Sequence, residues 1–414
     1  MDSAATNRVE QLHRSGEGAP LPAYSIHMDA IRALAAFVVV AGHARLLFFG
    51  DHGQRAVYKL RSLSGATTSA QIPGMGHQAV IVFFILSGFL VGNSAWRMIR
   101  EGRWRWRTYL IQRVTRLGIV LLPALILGFG LDYAGTHYLA SSHNIYTAPA
   151  GQSMVTTSVG QDLNLKVLAG NALFLQTIYV PVLGTNSALW SLANEYWYYL
   201  AFPALLVAIV GSRSILGRLI NLGVGVCILV VVGPKIAMLF PIWILGFGVS
   251  VTPLLIPHHY RRVAMAAAAV QFIGTNALAR IHAFPSLVAD ALPGVSFALF
   301  LYVILHYREP LRWGVYTKLA RGFAGFSYTL YAVHLPFVTF MTGLIINPWG
   351  PWHKDIRHLL AAGFLVSVAY VYAWLLYLLF ERNTASCRRY LSRSLAGGDT
   401  PRPAVYPKQV ADQA

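Results

Sequence analysis

The sequence predicts an all-α integral membrane protein, a polytopic bundle of about ten transmembrane helices with both termini in the cytoplasm. Three observations predict it. Charged residues make up only 12% of the 414 residues and hydrophobic residues 56%, where a soluble domain usually carries about 25% charged residues. Apolar runs near twenty residues long recur along the whole chain, the length needed to cross a bilayer core. Basic residues gather in alternate inter-run segments, as orientation in a membrane requires.

The expected spans are 28–49, 78–98, 117–139, 188–211, 219–233, 236–256, 263–281, 287–306, 323–346 and 357–380. Gly233-Pro234 separates the fifth from the sixth, and Pro241 lies inside the sixth. The stretch 163–186 is apolar but interrupted by Pro181 and Gly184, which suits an interfacial or re-entrant piece better than a span. With the N-terminus taken as cytoplasmic, about 23 of the 33 lysines and arginines fall on that side and about 8 on the other, the bias of an even number of spans. The chain then divides into a cytoplasmic polar arm (1–25), one transmembrane domain (26–390) and a disordered cytoplasmic tail (391–414).

Composition also excludes functions. A net charge of +18 can signal nucleic acid, but here the cations lie in short loops between apolar runs, and no groove-binding or single-strand module is present. Cys227 and Cys387 are too few and too far apart for a disulfide framework or a zinc site. The polar N-terminal arm lacks the short apolar core of a signal peptide.

Ionisable residues inside spans are costly, so each asks for an account. On the first span Asp29 and Arg32 are three apart and can pair. His43 follows Arg32 by eleven residues, roughly 16 Å of helix on nearly the same face. An imidazole there is either a structural group bonded to a neighbouring helix or a base for a hydroxyl proton. The second span contains FFILSGFL (Phe83–Leu90), where Ser87-Gly88 permits close helix approach; a nucleophilic serine would lack its usual strand-turn-helix setting. Arg97–Arg116, RMIREGRWRWRTYLIQRVTR, interleaves seven arginines with tryptophans. It suits a topogenic loop or a phosphate-binding floor built from guanidinium groups. In the fourth span Glu195 sits among Trp190, Tyr196, Trp197, Tyr198 and Tyr199, near the extracytoplasmic end. An aromatic belt explains the rings but not the carboxylate; rings that stack on a sugar with an acid that takes its hydroxyl hydrogens would explain both. His334 falls mid-span in the ninth, two residues before Pro336. Asp132 and Asp290 suit structural roles, and Glu381-Arg382 suits a salt bridge or cap closing the last span.

Together these residues resemble the membrane acyltransferase-3 family, which O-acetylates bacterial surface polysaccharides. Arg32 to His43 reproduces its R-x10-H signature. AVIVFFILSGFLVG is similar to its G-V-D-L-F-F-x-L-S-G-F segment, QRVTR to its basic R-x-x-R, LWSLANEYWYYLAFP to its W-S-L-x-x-E-x-x-F-Y-L-x-F-P block, FSYTLYAVHLP to its S-Y-x-x-Y-L-x-H-x-P block, and FERN to its E-R-P. The blocks occur in the family's order over roughly residues 25 to 390. Ile81 stands where the second block commonly carries an acid, Asn383 replaces the closing proline, and no soluble hydrolase-like domain is expected after the last helix.

The resemblance implies an enzyme of a bacterial inner membrane that moves an acyl group, acetyl by default, from cytoplasmic acyl-CoA to a hydroxyl of an exported or surface glycan. Acyl-CoA is a co-substrate; no bound cofactor or metal is implied. Arg32, Arg113 and Arg116 would hold the donor's phosphates. His43 would be the general base or carry the acyl group briefly, and Glu195 would orient the acceptor or pair with His43. Trp190, Tyr198 and His334 would contribute to the acceptor site. Other acceptors (a lipid-linked sugar, an antibiotic, a lipid) stay open, as does a polytopic transporter, which leaves the R-x10-H spacing unexplained.

Overall fold

The computed structural model describes residues 22–50, 75–139, 144–147, 159–211, 214–281, 284–310, 314–346 and 352–396. Among them the ordered elements are helices, with no named strand. In chain order they are α1 (Ala23–Phe49), α2 (Met75–Arg100), α3 (Trp106–Tyr138), the short α4 (Leu165–Ala172), α5 (Trp190–Leu206), α6 (Ile215–Val231), α7 (Phe240–Val251), α8 (Arg261–Ile281), α9 (Ser286–Ile304), α10 (Gly314–Gly325), α11 (Ser327–Ile345), α12 (Ile356–Leu379) and α13 (Thr384–Ala396).

Among the described residues, eight helical stretches are long and apolar enough to cross a membrane. The two expected spans outside that set are both helical. α5 carries Asn194, Glu195 and a run of tyrosines, which lower its hydropathy, and it continues through a π turn, Val207–Gly211. α6 is apolar but only 17 residues long. The polytopic all-α architecture stands, with the count of simple spans lower than the sequence suggests. Most of the arm 1–25 lies outside the described residues. α13 extends to Ala396, into the segment 391–414 expected to be a disordered tail, and 397–414 lies outside the described residues.

α11 and α2 are the most enclosed of the candidate spans among the described residues. α11 carries the second histidine, His334. It packs on α1, α3 and α12, and almost every residue from Ser327 to Val338 is buried. Pro336 does not end it: its ring sits against Gly128 of α3, where an added methyl group would come within 3.3 Å. The stretch 163–186 forms no span. α4 is capped by the Asn164 side chain, which accepts from the Val167 amide, and the chain then folds back as a loop that is buried at Phe174, Gln176, Leu183, Thr185 and Asn186 and exposed at Leu173 and Tyr179. Asp132 of α3 accepts hydrogen bonds from the Thr185 amide (2.7 Å) and hydroxyl (2.8 Å), and Asn186 donates to the Ala332 carbonyl of α11. Gly184 is obligatory there, because its φ is +53° and a methyl group would lie 2.1 Å from Asp132 Oδ2. Asp132 is thus structural, as expected.

α2 and α7 cross closest of all. A Cβ at Gly88 would lie 1.9 Å from the Trp243 carbonyl oxygen, and one at Gly246 would lie 1.9 Å from that of Ile85. Two opposed glycines let the backbones touch, the use of small residues the Ser87-Gly88 pair suggested. In the same stretch α2 opens into a π turn, Gly88–Gly92. The clash is with backbone, so Gly246→Ala should lower the thermal midpoint by several degrees, reflecting about 1–3 kcal/mol of overpacking. Gly248→Ala, facing open space on the same helix, should leave it within a degree. Equal midpoints in a detergent melting assay would contradict the close crossing.

Candidate active site

A cavity of about 540 Å³ opens between α1, α2, α3, α5, α10, α11 and the α12–α13 junction. Six arginines line it (Arg32, Arg113, Arg116, Arg321, Arg382, Arg388), against three carboxylates, Asp29, Glu195 and Glu381. All three arginines expected to hold phosphates therefore meet in one cavity, although they come from two helices and positions far apart in sequence.

Their charges are handled differently. Arg32 pairs with Asp29 at 3.3 Å, as the i,i+3 spacing predicts, and donates to the Ala324 carbonyl. Arg116 pairs with Glu381 at 2.7 Å. Glu381 is 4% exposed and also accepts from the Thr329 amide (3.2 Å) and hydroxyl (2.6 Å). The expected salt bridge at Glu381 thus reaches back to α3 and joins it to α11 and the end of α12. Arg113 is 3% exposed and faces the rings of Tyr109 and Tyr199 at 5.3 and 5.9 Å. Among the described residues its only hydrogen bond is a long one to Ser94 (3.5 Å), its Nε has none, and no carboxylate lies within ion-pair distance. A buried cation in that state is costly unless an anion joins it.

Glu195 lies in this cavity together with Arg113, and its partner is not His43. Tyr199, one turn on, donates to Glu195. Ser87 then donates to the Tyr199 oxygen (3.1 Å) while accepting from the Trp243 indole (3.1 Å). The Ser87 hydroxyl is fully engaged, which favours its packing role over a nucleophilic one.

The imidazole of His43 pairs instead with that of His334. His43 Nδ1 and His334 Nε2 are 2.8 Å apart, the ring centroids 5.1 Å apart and the planes 10° from parallel, so the two rings meet edge to edge and nearly coplanar. The protons can be assigned from chemistry. His334 Nδ1 lies 2.8 Å from the Tyr331 carbonyl and 3.0 Å from that of Leu330. Carbonyls only accept, so His334 Nδ1 carries a proton. In neutral His334 the other nitrogen, Nε2, is then an acceptor, and His43 Nδ1 must donate to it. That leaves His43 Nε2 with a bare lone pair, and no described group bonds to it. The arrangement is a base fixed in one tautomer, the function usually supplied to a catalytic histidine by an oriented neighbour. Neither histidine lines the cavity; Tyr331 stands between them and it: it lines the cavity, donates to the Ala188 carbonyl, accepts from Ser191, and its ring lies 6.2 Å from that of His334.

The three expected acceptor residues are not brought together. His334 is 0% exposed, between His43 and its own helix. Tyr198 is also 0% exposed, and its hydroxyl donates to the Ile236 carbonyl at 2.6 Å. Trp190 is partly exposed and stacks on His77 at 5.6 Å, and His77 Nε2 lies 2.8 Å from Asp290 Oδ1. Nothing in the sequence around His77 marks it, and Asp290 stands out there only as an ionisable group near a span. Tyr199, Tyr331, Arg321 and Arg388 were likewise not singled out as site residues, because their importance comes from neighbours on other helices. Among the described residues no group of three or more His, Cys, Asp or Glu side chains is arranged to hold a metal.

The pattern of an acyltransferase domain matches residues 26–380, nearly the whole described bundle. The chain belongs to the acyltransferase-3 family. No curated protein and no solved structure matches it. The acyltransferase therefore carries its family's R-x10-H signature as the two ends of one helix face: an arginine in the cavity wall and a histidine beyond it. Removing one member of a buried ion pair leaves the other uncompensated. Glu381→Gln in this acyltransferase should cost about 3 kcal/mol of stability, and Arg116→Met combined with it should recover part of the loss. A double-mutant cycle by thermal unfolding checks this; strictly additive effects would mean the pair is not coupled.

Proposed function

We propose that this acyltransferase moves an acyl group, most simply acetyl, from acyl-CoA to a hydroxyl of an exported or cell-surface glycan or a lipid-linked saccharide. The single observation that carries the reading is a cation-rich cavity lined by Tyr331, whose ring packs 6.2 Å from His334, the partner of a histidine held with one nitrogen free. The donor's phosphates suit the arginine-lined part, where Arg113 lacks a counter-ion and Arg32 and Arg116 add to the positive field. The pantetheine arm then runs past Phe83 and Tyr331 toward His43. His43 Nε2 takes the acceptor's hydroxyl proton, the acceptor oxygen attacks the thioester carbonyl, the C–S bond breaks, and the thiolate leaves with the proton that His43 returns. His334 accepts from His43 Nδ1 throughout and steadies the imidazolium as it forms. Glu195, bonded to Tyr199, shapes the cavity beside the thioester. On the other side, Trp190 with the His77–Asp290 pair offers a ring and polar groups to a saccharide. The basic loops support an orientation with both termini in the cytoplasm of a bacterial inner membrane, the compartment that supplies acyl-CoA. They also support the division into an arm (1–25), a transmembrane domain (26–390) and a tail.

The test compares wild type with His43→Ala in membranes given radiolabelled acetyl-CoA and extracted glycans scored by mass. The variant, present at equal level, should lose about 100-fold or more of transfer. Equal transfer would make His43 structural, and no transfer by wild type would remove the acyl-CoA reading. His334→Ala should lower kcat while leaving the KM for acetyl-CoA within twofold. His334→Gln, whose carboxamide oxygen can accept from His43 Nδ1, should restore part of kcat. Because the base works only when neutral, wild-type kcat should fall on the acid side and level off above it. A flat profile, or equal kcat in both His334 variants, would contradict the tautomer assignment.

A further inference from the structure

Arginines around the cavity divide into two classes. Arg32 and Arg116 already have carboxylate partners, Asp29 and Glu381. Arg321, Arg382 and Arg388 are in no ion pair among the described residues, although Arg321 is near enough to Asp29 to act on its carboxylate, and they come from one rim: the end of α10, the turn after α12, and the first turns of α13. Arg321 and Arg382 are exposed and Arg388 is half-buried, so they are reachable from outside, whereas Arg113 is buried farther in. With the two ion pairs set aside, the cavity keeps four arginines against Glu195, a surplus that calls for a polyanion rather than a single carboxylate.

We infer that Arg321, Arg382 and Arg388 form a rim site for the phosphates of a nucleotide, with Arg113 as its inner contact, and that Arg32 and Arg116 act mainly by fixing the cavity wall. This rests on the acyl-CoA reading above and redistributes its phosphate contacts. The charge matches: coenzyme A carries a diphosphate and a 3′-phosphate, roughly four negative charges in all, since a phosphate monoester contributes about 1.5 to 2. The geometry also separates binding from chemistry, because the rim holds the part of the donor that does not react. Rim arginines therefore set the preference for coenzyme A over its shorter pantetheine analogues, and their loss should appear in donor affinity and not in turnover.

The experiment measures binding of coenzyme A and of pantetheine, which lacks every phosphate, to the full chain in nanodiscs of zwitterionic lipid. Wild type should bind coenzyme A at least tenfold more tightly. Arg321→Gln and Arg388→Gln should each cut that preference about threefold to tenfold, by weakening coenzyme A alone, and Arg388→Lys should keep more of it than Arg388→Gln. Melting temperatures of the apo variants, unchanged within two degrees, show that they fold. If wild type binds coenzyme A no better than pantetheine, the donor reading itself fails. If wild type shows the preference and the Arg321→Gln, Arg388→Gln double variant keeps it, the rim assignment fails while the donor reading stands. If the variants lose only retention of added phosphatidylglycerol, the rim serves lipid headgroups and the inference is overturned.

Discussion

The ion pair between Arg116 and Glu381 is the constraint on which the rest of the site depends. It joins α3 to the end of α12, and Glu381 binds Thr329 at the start of α11 with its second oxygen. Those elements form one side of the cavity. In an apolar interior a lone carboxylate or guanidinium is expensive, and a pair is tolerated only when its remaining valences are filled. Here much is supplied: the Tyr328 ring lies 5.4 Å from the Arg116 guanidinium, two donors from one threonine reach one oxygen of the acid, and Arg116 lies against the other. The same economy governs Asp29 with Arg32 and Asp132 with Thr185. Arg113 departs from it, and so does the bare nitrogen of His43. The first falls in the cavity wall, where an anionic substrate can complete what the protein leaves open, and the second lies beyond it, behind Tyr331.

The two histidines show how a membrane bundle fixes a proton without a carboxylate. A buried aspartate beside His43 would have to be kept ionised in an apolar setting. A second imidazole, anchored to two carbonyls of its own helix, selects the tautomer with neutral groups alone. The cost is a weaker hold on the imidazolium form, since no negative charge stabilises it. The in-plane hydrogen bond between nearly coplanar rings, 10° from parallel, fixes orientation instead.

Much of the architecture was legible in the sequence because the penalty for polar groups in lipid is large and local. Runs of apolar residues marked the spans, and Asp29, Arg32, His43, Glu195 and His334 stood out because such residues need a reason to be there. The Asp29–Arg32 pair followed from helix spacing alone. What was not legible depended on which helices meet. His43 and His334 are 291 residues apart, and nothing in either segment names the other as partner. Glu195 was expected at the far end beside the acceptor, yet it shares a cavity with Arg113, because the cavity runs deeper than a count along one helix can reveal. Of seven arginines in Arg97–Arg116, burial separates Arg113 from its neighbours, and burial is a property of the assembled bundle. α5 was expected as an ordinary span, although its polar residues face the interior and take it outside the apolar set.

The π turn at Gly88–Gly92 carries one residue more than a regular helical turn would hold. Everything after it in α2 is therefore phased differently from everything before it. Deleting a single residue in this turn would rotate the following segment by about 100°, moving Ser94 away from Arg113 and Trp96 away from Phe247. The length of this short stretch is thus as much a part of the site as any side chain in it. Chains that share every charged residue with this one but differ by one position there would present a differently turned wall to the same substrate.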